Sequence, residues 1–139
     1  SLIESLRPGQ AQRAEHEARI LAALFSELRL IAGDGSPLLG QINLSRIRLA
    51  SVASRQAVLC TPHQTLINRR HPAVRRVLRA GTSDPAAIWF LCAAVYTALN
   101  IFLVEVTDQD EAQFLALLCR RAESVLQGRT PGAGSPPSA

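Results

Sequence analysis

The uncharged run from Ala86 to Val104 limits what this chain can fold into more than any other feature. Asp84 and Pro85 precede it, and this pair is typical of a helix start, because the carboxylate accepts backbone N–H groups and proline has no N–H to lose. We therefore predict a helix over 84–104. A helix that is apolar on every side must be covered on every side, either by protein or by lipid.

The polar residues of this helix help to decide between the two coverings. Its length is close to the lower limit of the roughly 17–25 residues that span a bilayer, so length does not settle the matter. Tyr96, Thr97 and Asn100 lie in its second half, and an amide without a partner in hydrocarbon costs several kcal/mol. We therefore expect the helix to lie in a protein core, and we do not favour a membrane partner.

One stripe of this helix carries its largest aromatic and polar side chains. Trp89, Tyr96 and Asn100 share a face by helical spacing. The stripe is either core, with its hydroxyl and amide bonded internally, or an interface, since Tyr and Trp are favoured where proteins meet. These three residues are the candidate interface residues.

Length and composition predict one intracellular domain. The chain has 139 residues, of which 47% are apolar and 19% charged, which is ordinary for a globular protein. We interpret 1–9 as a linker from a longer chain, 10–128 as a single domain and 129–139 as a flexible tail. Three cysteines without paired spacing indicate reduced thiols. These thiols, together with the lack of a signal-like apolar run at the start of the sequence, predict a cytoplasmic protein. Lysine is absent, a bias typical of a GC-rich coding sequence, and we expect a bacterial origin.

Hydrophobic periodicity predicts an α+β fold. Helical spacing and strand-like alternation occur in separate segments, divided by glycine and proline. The predicted helices cover 10–31, 72–80, 84–104 and 107–127, and the predicted strands lie within 42–50, 57–60 and 65–68. We expect a small antiparallel sheet of about three strands, packed with four helices of which 84–104 is central.

Basic residues concentrate in one segment of a chain whose formal net charge is +4. The candidate anion-binding residues are Arg69, Arg70, His71, Arg75, Arg76 and Arg79. Guanidinium groups bind phosphate or carboxylate through two parallel hydrogen bonds. The alternative is a solvated basic face, partly paired with acidic residues, as most charge runs are. Nucleic-acid binding is a weaker form of the hypothesis, because no aromatic residue is interleaved to stack on bases.

Cys60, His63 and His71 are the only cluster that suggests metal or nucleophile chemistry. A structural zinc site needs a fourth ligand, which the spacing does not supply. The apolar neighbours of Cys60 predict burial, which raises a thiol pKa and makes it inert. We therefore predict no catalytic residue, no metal and no cofactor. An enzyme remains the third hypothesis, and it requires these side chains within hydrogen-bond reach of one another.

The leading functional hypothesis is a non-enzymatic interaction or assembly module of a larger protein. It follows from a surplus of apolar helix without a catalytic cluster. Its expected partners are other protein subunits or domains of the parent chain, and oligomerisation of identical copies is one form of it. The alternative is a regulatory module that binds anions or nucleic acid through the cluster from Arg69 to Arg79.

Overall fold

Helices form most of the structure, a computed structural model that describes residues 8–129. The helices are α1 (Pro8–Ala32), α2 (Pro37–Gly40), α3 (Pro72–Ala80), α4 (Pro85–Phe102) and α5 (Asp108–Arg129), and the strands are β1 (Ile47–Ala50), β2 (Val58–Cys60) and β3 (Thr65–Asn68). The predicted α+β class is confirmed. The predicted linker, 1–9, and the predicted tail, 129–139, fall almost wholly outside the described residues.

The predicted turn and cap residues set the ends of the helices. Asp84 accepts a hydrogen bond from the backbone N–H of Ala86 (3.1 Å) at the start of α4. At the start of α5, Thr107 and Asp110 accept each other's backbone N–H groups and form a capping box. Gly81 ends α3 at φ 66° and ψ −150°, a conformation that essentially only glycine adopts.

The uncharged helix lies in the centre of the molecule. α4 packs against α1, α3, α5 and β2. Its Tyr96 ring is fully buried and stacks on Phe114 of α5, with the ring centroids 4.3 Å apart. From α1, the side chains of Ile20, Leu24 and Leu28 are buried in the same core. Four elements therefore cover α4, but the cover predicted for every side is incomplete within one chain, because Phe90 and Ile101 remain exposed.

The sheet is mixed, not wholly antiparallel. Its strand order is β1-β3-β2, with β2 antiparallel to β3 as predicted and β1 parallel to β3. The parallel pairing corrects the prediction of an antiparallel sheet. It arises because the connection 51–57 crosses the end of β3 and leads the chain to the far side of that strand. Alternation of apolar residues identifies a strand but contains no information on the direction of its neighbour.

The sheet lies beside α1 at its β1 edge and packs on α4 at its β2 edge. Ile47 and Leu49 of β1 lie beside Leu21 of α1, with which they border a shallow depression. At the other side of the sheet, β2 packs on α4. Since β3 lies between them, β2 is the edge strand above α4.

Candidate functional site

Two of the three predicted interface residues face the interior, and the third is partly buried. Trp89 and Tyr96 are buried, and Trp89 donates its indole N–H to Glu27 of α1 (2.7 Å). Asn100 donates to Glu111 at the start of α5 (2.7 Å). The stripe is therefore core in this conformation, with its polar groups bonded internally. Neither aromatic ring is offered to a partner, so its assignment as an interface stays a prediction.

A chain of hydrogen bonds ties α4 to the residue that follows α2 and to the start of α5. The Tyr96 hydroxyl donates to Gln41 Oε1 (2.7 Å), and Gln41 Nε2 donates to Asp110 Oδ2 (3.0 Å). Burial, and then the negative charge of Asp110, raises the pKa of the Tyr96 hydroxyl. Tyr96 therefore remains a protonated donor at neutral pH, and the network fixes the positions of Gln41 and Asp110 relative to α4.

A neighbouring side of α4, about 100° around the helix from the stripe of Trp89, is exposed and apolar. Phe90 and Ile101 are 39% and 62% exposed, and Ala94 and Thr97 lie between them at helical spacing. This stripe borders a groove of about 410 Å³ beside β2, which we call the α4–β2 groove. Its lining consists of Gln56, Ala57, Val58, His71, Phe90, Ala93, Ala94, Thr97, Ala98 and Ile101. Asp, Glu, Lys and Arg do not contribute to this lining.

The strand beside this groove has one edge without a partner among the described strands. The carbonyl of Ala57 and the N–H of Thr61 both bond to the β3 side of the hairpin. Because hydrogen-bonding direction alternates along a strand, the backbone groups of Val58 and Cys60 point the other way, outward from the sheet. An open edge of this kind is a template for pairing with another strand.

The structure separates the predicted anion-binding residues into different environments. Arg69 forms a bidentate ion pair with Glu17 of α1, with both N–O distances 2.9 Å. His71 caps α3, since its Nδ1 accepts the backbone N–H of Ala73 (3.1 Å). The side chains that remain exposed are those of Arg70, Arg75, Arg76 and Arg79. The six predicted residues therefore do not form one site.

Two of the exposed arginines share a depression with a third that the sequence did not single out. The depression has a volume of about 470 Å³ and is lined by Val52, Ala53, Ser54, Arg55, Arg70 and Arg75. We call it the arginine depression. Arg55 lies on the connection between β1 and β2, and Arg75 lies on α3. The crossing of the sheet end by this connection brings the three arginines together.

Asn68, at the end of β3, shapes the loop of the arginine depression. Its side chain is fully buried. Its Oδ1 accepts the backbone N–H groups of Val52 (3.0 Å) and Arg70 (3.1 Å). Its Nδ2 donates to the carbonyls of Ser54 and Gln56, both at 3.2 Å. All four hydrogen-bonding positions of the amide are thus occupied, and one side chain holds the loop to the strand.

The three residues of the metal and nucleophile hypotheses do not form a site. The Cys60 thiol lies 3.7 Å from the Thr65 hydroxyl, and burial raises its pKa. His63 is exposed in the hairpin loop, while His71 caps α3 beside the opposite end of β2. Within residues 8–129, no group of three His, Cys, Asp or Glu side chains is placed to hold a metal ion.

The membrane question concerns α4 alone. In the described part of the chain it is the one helix long and apolar enough to cross a membrane, and 44% of it is buried inside the molecule. Thr97 and Asn100 on this helix donate hydrogen bonds to the Glu111 carboxylate of α5. A carboxylate bonded to the helix is costly to place in lipid, so these contacts favour the core interpretation.

No family model, curated protein or solved structure matches this chain. The two candidate surfaces therefore rest on geometry, and each includes residues that the sequence did not point to. Phe90 and Ile101 lie in a helix that is apolar all round, so periodicity gives no sign of which side faces solvent. Arg55 is distant in sequence from Arg70 and Arg75. Its position between the predicted strands in 42–50 and 57–60 indicated a loop, but not which residues that loop would pack against.

Proposed function

We propose that this chain is a non-enzymatic assembly module in which the α4–β2 groove pairs with the same groove of a second copy. The observation that carries the proposal is the exposed, uncharged stripe from Phe90 to Ile101 beside the free edge of β2. Each feature separately is common on protein surfaces. Together, the stripe provides apolar area for a partner helix, and the strand edge provides backbone hydrogen bonds for a partner strand.

The layer order makes this pairing geometrically sensible. Because β2 packs on α4 at the edge of the sheet, a strand added to β2 lies above the outer side of that helix. Around a two-fold axis, β2 meets its own copy antiparallel, and the two α4 helices lie next to each other. Ala93, Ala94 and Ala98 are small enough to let these helices approach closely. Phe90 and Ile101 then lose their contact with water.

The uncharged lining is compatible with a second copy as the occupant. Two copies of formal net charge +4 repel each other weakly through salt solution, and an uncharged contact surface adds no close like-charge pairs to that repulsion. The α4–β2 groove meets this condition, since no arginine or carboxylate lines it. Four other depressions on the described surface each include at least one charged side chain. Self-association through this groove would bring together the segments attached to each copy in a larger protein.

The proposed setting is the cytoplasm of a bacterium. Cys60, Cys92 and Cys119 are all free thiols in the fold. Burial, together with the nearby Glu27 carboxylate, raises the pKa of the Cys92 thiol. These thiols are compatible with a reducing compartment, where disulfides are rare.

Light scattering of the purified 139-residue chain after size exclusion tests the proposal. We expect twice the monomer mass of 15.0 kDa at high micromolar concentration. Ile101→Glu should weaken the dimer by at least about tenfold, because it buries an unpaired charge at the interface. Leu30→Glu is the matched control, since Leu30 is 58% exposed, close to the 62% of Ile101, and lies outside the groove. The control should remain a dimer.

Hydrogen exchange tests the strand pairing separately. The amides of Val58 and Cys60 should exchange more slowly in the concentrated chain than in the dilute chain, while Ile101→Glu should remove this difference. Circular dichroism of both variants should match that of the unmodified chain, because both side chains are exposed. A chain that stays monomeric at high concentration, or a dimer that Ile101→Glu leaves intact, would overturn the proposal.

A further inference from the structure

The arginine depression lies outside the surface proposed for self-association. It carries positive charge that no negative charge in its lining balances. Arg55, Arg70 and Arg75 border it, and no carboxylate contributes to its lining. Within residues 8–129, the ion pairs are Arg69–Glu17 and Arg121–Glu27, so none of these three arginines is neutralised by a described acidic residue. Three like charges around one concave surface repel one another, and a bound anion would relieve that repulsion.

The frame that carries these arginines is held in place before any ligand binds. The Asn68 amide bonds to the backbone on both sides of Arg55, at Ser54 and Gln56, and also to the N–H of Arg70. Arg75 lies in the first turn of α3, where its N–H donates to the carbonyl of His71 (2.9 Å). Because the backbone is already fixed, a ligand has to order only the arginine side chains. This lowers the entropic cost of binding.

We propose that the arginine depression binds a small ligand that carries two or more linked phosphate groups, such as the diphosphate of a nucleotide. Guanidinium groups grip phosphate oxygens through paired hydrogen bonds. Three of them supply more positive charge than one phosphate group balances, since a phosphate monoester carries about −1.5 to −2 at neutral pH. The volume of about 470 Å³ also exceeds what a single phosphate fills.

The lining favours a small phosphorylated ligand over a nucleic-acid strand. Val52, Ala53 and Ser54 form the rest of the wall, and none of them has an aromatic face for stacking on a base. Recognition of a single strand usually combines phosphate contacts with such stacking. Arg76 and Arg79 are exposed on α3 but do not line the depression, so a concave site can be distinguished from a diffuse basic face.

Calorimetric titration of the full chain with inorganic pyrophosphate, at low ionic strength, tests this inference. We expect saturable binding to one site. Arg75→Ala and Arg55→Ala should each weaken it by about tenfold or more, because each removes a paired phosphate contact. Arg76→Ala is the matched control, since Arg76 is the next residue on the same helix, is also exposed and carries the same charge. It should change affinity less than about threefold.

Two further measurements separate the alternatives. Arg75→Lys keeps the charge but loses the planar fork, so it should bind more weakly than the unmodified chain and more tightly than Arg75→Ala. Ile101→Glu should leave pyrophosphate affinity unchanged, which distinguishes this site from the proposed dimer surface. Absence of pyrophosphate binding, or equal losses in Arg75→Ala and Arg76→Ala, would overturn the inference. Tighter binding of a DNA oligonucleotide, weakened equally by Arg76→Ala and Arg79→Ala, would also overturn it in favour of a nucleic-acid face.

Discussion

At the scale of single residues, the fold depends on a few buried polar side chains whose hydrogen bonds are all made. Asn68 is the clearest example, because it replaces water for three backbone groups of the 51–57 loop and for the N–H of Arg70. Tyr96 of α4 has a similar role, because its buried hydroxyl donates a hydrogen bond to Gln41. Among the described residues, no buried side-chain nitrogen or oxygen lacks a hydrogen-bond partner.

Replacing Asn68 should therefore be among the most damaging polar changes in the chain. Asn68→Ala should lower the free energy of unfolding by about 2–4 kcal/mol, because it removes four hydrogen bonds to the backbone and leaves a gap where a fully buried side chain was. Asn68→Asp keeps the shape of the side chain but replaces the NH2 donor, which bonds to two carbonyls, with an acceptor oxygen. It should therefore destabilise the fold as much as Asn68→Ala does. Asn43→Ala is the control, since Asn43 is exposed and should change stability by less than about 0.5 kcal/mol. Equal urea midpoints for Asn68→Asp and the unmodified chain would contradict this account.

At the scale of elements, one carboxylate connects the three long helices. Glu27 of α1 accepts the indole N–H of Trp89 on α4 (2.7 Å) and pairs with Arg121 on α5 (3.1 Å). The two contacts differ in kind. Trp89 is buried and needs an acceptor, whereas the Arg121 side chain is about one-third exposed and can turn to water. We therefore expect the hydrogen bond to matter more than the ion pair.

Two substitutions at Glu27 separate these contributions. Glu27→Gln retains an oxygen acceptor for Trp89 and loses only the charge, so it should cost less than about 1 kcal/mol. Glu27→Ala leaves the indole N–H buried without a partner and should cost about 2–3 kcal/mol. Urea unfolding followed by the fluorescence of Trp89, the single tryptophan, measures both. If Glu27→Gln proved as destabilising as Glu27→Ala, the ion pair would be the dominant contact.

At the scale of the whole molecule, resistance to acid should depend in part on the start of α5. The backbone N–H of Thr107, and then the amide of Gln41, lowers the pKa of Asp110 below its usual value of 3.8. A carboxylate whose pKa is lower in the folded state stabilises the fold above its unfolded pKa. That stabilisation is lost as pH falls through the folded pKa. Its loss is therefore confined to pH values below about 4.

Thermal unfolding of Asp110→Asn at several pH values tests this dependence. The variant should unfold at a lower temperature than the unmodified chain at pH 6. It lacks the negative charge that the backbone N–H of Thr107 and the amide of Gln41 stabilise. The difference should shrink as pH falls from about 4 toward 2, when Asp110 itself becomes protonated. Asp34→Asn is a suitable control, since Asp34 is exposed in the loop after α1. A difference that is constant from pH 6 to pH 2 would contradict the prediction.

The candidate surfaces were less predictable than the elements that carry them. Arg69 belongs to the densest basic run of the sequence, yet it is paired with Glu17, which is far away in the chain. Arg55 stands outside that run and shares the arginine depression with Arg70. On α4, the stripe of Trp89 was a candidate interface, whereas the side that reaches solvent is that of Phe90. In each case the deciding fact is which distant segment packs against the residue.

The sequence by itself determined the class of the fold, the three strands, the four principal helices and most of their ends, because spacing of apolar residues, capping side chains, proline and glycine act locally. Only the tertiary structure decided that β1 runs parallel to β3, which arginines lack acidic partners and which side of α4 remains exposed. These properties depend on long-range packing. A helix that is apolar all round and a strand with simple alternation are compatible with several arrangements, and the choice among them is made by contacts between segments far apart in the chain.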